Sequence, residues 1–271
     1  TVIQLLERYI SLKRGVRYNT TTGYKFVMSV VKKESFGQRI IRDIKMSDAK
    51  LWFIKLYDDG YSYSTIASIR GVVKLAFQMA YTEDIIRRNP FEFRLDIIPN
   101  NTQKRVALSP KQQEQFLEFT KNDKHFCRYL DEIKILLGTG MRISELCGLT
   151  IADLDFDRRR IRVDHQLVRT QDGKRYIEKT KTECGCRYIP MSDEVYESFY
   201  NILSNRKKQK KEVMIDGYAG FILLDKNGNP KVAMHVQKVV QRLCEKYNEE
   251  NIIPLPRITP HVFRHTFCTN M

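Results

Sequence analysis

The chain has 271 residues, 42% of them hydrophobic, and a formal net charge of +15. That length supports two domains with their own cores, and no run of about 18 apolar residues offers a membrane span. The charge excludes a purely acidic or neutral surface and points to a polyanionic partner, most often nucleic acid.

The basic excess is no tail effect. Residues 1–104 hold 18 Lys and Arg against 10 Asp and Glu, and the remainder holds 29 against 22. Six cysteines are scattered from Cys127 to Cys268. Cys184-Gly185-Cys186 lacks the second pair that a zinc site needs, so no metal is expected and reduced thiols are the default.

The first region reads as helical throughout. Residues 1–13 place Val2, Leu6, Tyr9 and Ile10 on one face. A second helix is expected to start near Asn19 to Thr22, whose side chains can cap it, and to run to Val31. A third starts at Ser47, with Ala49, Trp52, Phe53, Leu56 and Tyr57 at helical spacing, and Asp58-Asp59-Gly60 ends it. A fourth runs from about Ser62 to Tyr81, with Ile66, Ile69, Val73, Ala76, Phe77 and Ala80 inward. Four such helices can form a small bundle. Ser64, Ser68, Arg70 and Lys74 lie on the outward face of the fourth, and Thr21 and Lys25 on the second. Short hydroxyls interleaved with Lys and Arg suit a helix in a DNA groove, although an ordinary solvated face would carry the same residues.

Asn89-Pro90 closes the helical region. Residues 90–108, with Pro90, Pro99 and Asn100-Asn101, read as a linker in which Lys104 and Arg105 could follow a phosphate backbone. The division expected is therefore 1–89, a linker 90–108, and a second domain 109–271.

Ser109-Pro110-Lys111-Gln112 opens that second domain with a capping-box signature. Helices are expected at about 110–120 and 126–137, then a Gly138-Thr139-Gly140 turn and a new helix. Residues 155–158 form a turn, and 160–163, 167–168 and 175–178 are strands, with Asp172-Gly173 as a hairpin turn. Residues 187–190 read as a further strand, 192–204 as a helix, 206–211 as a basic loop, 221–223 as a short strand and 231–250 as a helix. Pro254, Pro256 and Thr259-Pro260 lead into a last helix. The whole is mostly α with a small β-sheet, an α+β chain.

Four cationic side chains stand out in this half. Arg142 follows the Gly-Thr-Gly turn, and a guanidinium there can grip a phosphate with two parallel hydrogen bonds. Glu145 lies one helical turn on, where it can hold that guanidinium. His261 and Arg264 share the last helix, and Lys181 lies in an expected hairpin between the two stretches. Together they make a phosphate-handling set.

The stretches Thr139-Gly140-Met141-Arg142-Ile143-Ser144-Glu145-Leu146, Thr180-Lys181-Thr182 before Arg187-Tyr188-Ile189-Pro190-Met191, and Thr259-Pro260-His261-Val262-Phe263-Arg264-His265-Thr266 together resemble the tyrosine recombinases, and among them the lambda-integrase-like integrases of phages and conjugative transposons. The resemblance spans nearly all of residues 105–271, and the helical region is similar to the family's core-site DNA-binding domain. It implies a catalytic role for Arg142, Lys181, His261 and Arg264, with Glu145 supporting the first arginine. It implies double-stranded attachment or core sites as partner, four protomers on DNA in the complete protein, no cofactor, and action on DNA in a bacterial cytoplasm.

One departure bears on activity. The family's nucleophilic tyrosine lies beyond the His-x-x-Arg helix, whereas here all 14 tyrosines lie upstream and the sequence stops at Met271. The second domain reads as C-terminally incomplete, and this chain by itself is expected not to cleave DNA. A type IB topoisomerase uses the same chemistry, and a non-catalytic DNA-binding protein on a recombinase fold would also fit a missing tyrosine. The intact cationic set counts against the second.

Overall fold

The computed structural model describes residues 1–102, 106–180, 185–206 and 212–270. The chain divides into two compact units, Thr1–Lys104 and Arg105–Met271.

The first unit is built from α1 (Val2–Ser11), α2 (Tyr18–Lys33), α3 (Met46–Asp58) and α4 (Tyr63–Thr82), with two short 3-10 turns between α2 and α3. Thr1 caps α1 reciprocally with Gln4, and Ser62 caps α4 through the amide of Thr65. The apolar faces read from spacing are buried: Leu56, Ile66, Ile69, Val73, Ala76 and Phe77 are fully enclosed. An aromatic cluster seals one end of the bundle. Phe36 stacks on Trp52 with ring centroids 4.4 Å apart, and Phe91 packs against Phe77 at 4.9 Å and Phe53 at 5.5 Å.

Phe91 comes from the stretch expected to be linker. Phe91, Leu95 and Ile98 are buried in the first unit's core, so residues 91–98 are a packed flap on the bundle rather than a tether. The reason is composition: large apolar residues recur there without a helical period, and burying each stabilises by roughly 1.5–3 kcal/mol. Leu108, at the other end of the stretch, belongs to the second unit's core. Lys104 and Arg105 lie outside the described residues.

The second unit contains α5 (Pro110–Asn122), α6 (Leu130–Thr139), α7 (Ile143–Gly148), β1 (Leu154–Asp155), β2 (Arg160–Val163), β3 (His165–Arg169), β4 (Arg175–Lys179), β5 (Arg187–Pro190), α8 (Asp193–Ser204), α9 (Ala233–Glu250) and α10 (Pro260–Asn270). Ser109 forms the expected capping box with Gln112. β3 and β4 pair as an antiparallel hairpin, while β5 joins β2 and not β4, in the order β1-β2-β5. The expected strand at 221–223 is reduced to one bridge, Phe221 to Thr150. Gly148 ends α7 where an added Cβ would lie 2.8 Å from the Leu167 amide nitrogen, so only glycine allows helix and hairpin to meet this closely. The chain is mostly α with a small β component. Among the described residues no helix is long and apolar enough to cross a membrane.

Candidate functional site

Helix α6 ends at Gly140 in the left-handed region, φ 58°. The amide of Gly140 closes the helix on the Leu136 carbonyl, and the chain reverses through the buried Met141. Arg142 follows in extended geometry as the N-cap of α7. Its own amide donates to Glu145 Oε2 at 2.8 Å, and its Nη1 donates to Glu145 Oε1 at 2.8 Å. The Arg142 side chain is 52% exposed, whereas Glu145 is 2% exposed. A buried carboxylate therefore fixes the base of a guanidinium that faces solvent.

Glu145 has a second cationic partner. Arg187, the first residue of β5, donates from Nη2 to Oε2 at 2.8 Å and from Nη1 to Oε1 at 3.3 Å. Burial alone would push the Glu145 carboxyl upward. The bonds from Arg187 and then from Arg142 outweigh it and hold the group below the usual carboxylate range, so it stays ionised. Sequence reading placed Arg187 in a strand and gave it no role, because a partner 42 positions away leaves no local spacing signal. An arginine opening the strand Arg187-Tyr188-Ile189-Pro190 is the one available hint.

Helix α10 brings the second motif to the same turn. Arg264 donates from Nη1 to the Gly140 carbonyl at 2.6 Å. Phe267, one turn further, lies against Gly140 so closely that a Cβ there would stand 2.3 Å from the ring. Phe263 is fully buried and packs on Phe116 at 5.9 Å. Thr266 accepts the Leu108 amide at 2.9 Å and donates to the Val262 carbonyl, anchoring the helix from below. His261 is exposed one turn before Arg264, on the same side of α10. Arg142, Glu145 and Arg264 thus meet at one turn, with His261 on the adjoining helix face.

Lys181 lies outside the described residues. The positions flanking it are held together: the Thr180 amide donates to the Asp164 carbonyl at 3.1 Å, and Thr180 Oγ1 lies 3.1 Å from Cys186 Sγ. Arg187 also donates to the Gly185 carbonyl at 3.1 Å, which ties the end of this segment to the Glu145 cluster.

The DNA-contact set of the first unit is divided by the structure. Lys25, Ser64 and Ser68 are exposed and Thr21 is half-buried. Ser68 Oγ donates to the Ser64 carbonyl, as hydroxyls on helices commonly do. Arg70 is committed elsewhere: its Nη2 donates to the carbonyls of Phe91 and Phe93, and its guanidinium stacks over the Phe93 ring. Lys74 pairs with Glu92 at 2.7 Å. Both hold the 91–98 flap to α4.

One grouping with metal-ligand chemistry occurs among the described residues, Asp153, Asp164 and His165. Its atoms are already used. Asp153 accepts from Arg162, and from the amide and hydroxyl of Thr150, while His165 bridges Asp164 and the Gly148 carbonyl. It serves as a structural pin beneath α7.

Comparison with known proteins gives the following. The Phage integrase family model matches residues 107–271. The transposase from transposon Tn916 of Enterococcus faecalis is 44% identical over 271 residues, covering 100% of this chain and 67% of that protein. The tyrosine recombinase XerC of Bacillus subtilis is 24% identical over 276 residues, covering 99% of this chain and 82% of that protein. The integrase of transposon Tn1549, solved in complex with a circular intermediate DNA, superposes with a TM-score of 0.96 at 44% identity over 100% of this chain and 86% of that one. A lambda integrase tetramer bound to a Holliday junction shares the fold, with a TM-score of 0.67 at 16% identity over 98% of this chain and 71% of that one.

Proposed function

The chain belongs to the phage integrase family, and from that membership we propose that it is the DNA-binding and catalytic body of a conjugative-transposon integrase, a tyrosine recombinase. The observation that carries this reading is the bond from Arg264 to the Gly140 carbonyl, which sets the second arginine beside the turn that presents the first. Two guanidiniums from distant positions belong to one turn, Arg142 following it and Arg264 bonded to it. That suits an anion with several oxygens.

The chemistry follows from the charges. A tyrosine hydroxyl attacks the scissile phosphorus, the bond to the 5′-oxygen breaks, and a 3′-phosphotyrosyl link forms. A 5′-hydroxyl of another strand then attacks that link and releases the tyrosine. The phosphodiester bond energy is kept throughout, so no nucleotide triphosphate is consumed. The attacking tyrosine is expected from the segment that follows the His-x-x-Arg helix in this family. Arg142 and Arg264 hold the non-bridging oxygens, where negative charge grows in the transition state. Lys181 is assigned the proton for the departing 5′-oxygen. His261 hydrogen-bonds the phosphate or passes a proton near the tyrosine, a role that suits an imidazole near neutral pH.

Exchange between two duplexes cuts four strands. With one nucleophile per chain, four protomers are required, bound at attachment or core sites. Lys25, Ser64 and Ser68, together with Thr21, are assigned to DNA contact by the first unit, and Lys104 and Arg105 to contact with the phosphate backbone.

Covalent capture tests the proposal. The full-length polypeptide is incubated in EDTA with nicked duplex carrying an attachment site, and the products are resolved on a denaturing gel. A protein–DNA adduct through tyrosine is the expected product. A strict requirement for Mg²⁺ with no adduct would overturn the assignment in favour of a nuclease.

A further inference from the structure

Glu145 is saturated. Each carboxylate oxygen accepts two hydrogen bonds: Oε1 from Arg142 Nη1 and Arg187 Nη1, Oε2 from the Arg142 amide and Arg187 Nη2. Two lone pairs per oxygen is the full capacity of the group. Left to itself, an arginine beside a carboxylate takes it with two nitrogens in parallel, because the fork and the two oxygens match. Arg142 does not. It reaches Glu145 through one side-chain nitrogen, and its side chain is 52% exposed.

The stoichiometry of charge points the same way. Two guanidiniums share one carboxylate, so the cluster keeps one net positive charge at the surface where Arg264 also arrives. If Arg187 were absent, the Arg142–Glu145 pair would be neutral, and an acceptor place would stand open on each oxygen of Glu145. Arg187 is 27% exposed and reaches the carboxylate from β5. It also fixes the Gly185 carbonyl at 3.1 Å, at the end of the segment that contains Lys181.

We propose that Arg187 is a positioning residue for DNA cleavage. By filling one acceptor place on each oxygen of Glu145, it confines Arg142 to a single-nitrogen contact and leaves the rest of that guanidinium to the scissile phosphate. This rests on Arg142 being the phosphate grip proposed above. Arg187 acts through Glu145 and touches no reacting atom.

The test uses the full-length polypeptide and compares Arg187→Ala, Arg187→Lys, Glu145→Gln, the Arg187→Ala/Glu145→Gln double variant and Arg142→Ala. Three quantities are read: the single-turnover cleavage rate on a nicked site, the dissociation constant for that site, and the melting temperature. Arg187→Ala is expected to slow cleavage by about 100-fold, the scale of losing one oriented donor at a developing oxyanion, with site binding within about threefold of wild type. Arg187→Lys restores the charge without the fork and is expected to recover part of the rate. In the double variant the two losses are expected not to multiply, because both changes act on one unit.

Equal cleavage by Arg187→Ala and wild type would overturn the proposal. So would losses that multiply in the double variant, or binding, rate and melting temperature that fall together in Arg187→Ala and Arg187→Lys alike. Arg142→Ala separates this inference from its premise. Wild-type cleavage by that variant would remove the phosphate grip itself, whereas an inactive Arg142→Ala beside a fully active Arg187→Ala would remove only the role of Arg187.

Discussion

Replacing Gly140 by Ala adds one methyl group at the turn between α6 and Arg142. Two costs follow. The backbone stands at φ 58°, where an L side chain costs roughly 1–2 kcal/mol. The new carbon would also lie 2.3, 2.8 and 3.0 Å from three atoms of the Phe267 ring. Comfortable carbon–carbon contact is about 3.5–4.0 Å, so the ring must move, and overpacking of this kind costs about 1–3 kcal/mol. The variant should lose about 2–5 kcal/mol in all. Gly217→Ala is the control in the same unit: φ there is 85°, and nothing lies within 4 Å of the added carbon. It should show the backbone cost alone. Urea unfolding followed by far-UV circular dichroism reads the helices of both units, and the second unit is the part of that signal which Trp52 fluorescence does not follow. Fluorescence of Trp52, the one tryptophan and a member of the first unit's core, should not shift. In a Phe267→Ala background the cost of Gly140→Ala should fall to that of Gly217→Ala. If Gly140→Ala costs no more than Gly217→Ala, or costs the same without the Phe267 ring, the packing argument for the arginine turn fails.

Two further perturbations probe the units separately. Phe91→Ala should destabilise the first unit by about 3–5 kcal/mol, because the ring is fully buried against Phe53 and Phe77; a loss under about 1 kcal/mol in the Trp52 transition would restore the tether reading of residues 91–98. Asp123 is held down to about 2 by Lys246, against the opposing effect of burial, and by the amides of Phe126 and His125. Its folded value lies below the ordinary one of 3.8, so its stabilisation is present above about pH 4 and disappears as pH falls toward 2. Lys246 stands partly in solvent, which limits the contribution to about 1–2 kcal/mol. The gap in unfolding free energy between wild type and Asp123→Asn should therefore be open at pH 5 and close near pH 2, and a gap that stayed constant would refute the assignment.

What could be read from the chain follows a physical division. The helices of the first unit were legible because Trp52, Phe53 and Leu56, or Ile66, Ile69 and Val73, repeat at the period of a helix that buries one face. The motif around Arg142 and the one around Arg264 were legible because each lies within a single turn of helix. The pairing of β5 with β2 rather than β4 was not, since register between distant strands leaves no mark on the local pattern of either. The packing of Phe91, Leu95 and Ile98 escaped notice because these residues form no helix or strand, and Pro90 and Pro99 spoke for a loop. Arg70 and Lys74 sit at outward helical positions, and helical geometry alone cannot show that residues 91–93 return to bond with them. Arg187 is the same case at the site itself: its partner is set by how β5 enters the sheet.

The most direct measurement removes the charge that the arginines are said to meet. The scissile phosphate of a nicked attachment site is replaced by a methylphosphonate, which has one fewer negative oxygen. Single-turnover cleavage is then compared for wild-type and Arg142→Ala full-length protein on both substrates. If Arg142 neutralises charge on a non-bridging oxygen, its removal should abolish cleavage of the phosphate and cost far less on the methylphosphonate. Equal losses on the two substrates would contradict the account and leave Arg142 a role in the architecture of the turn alone.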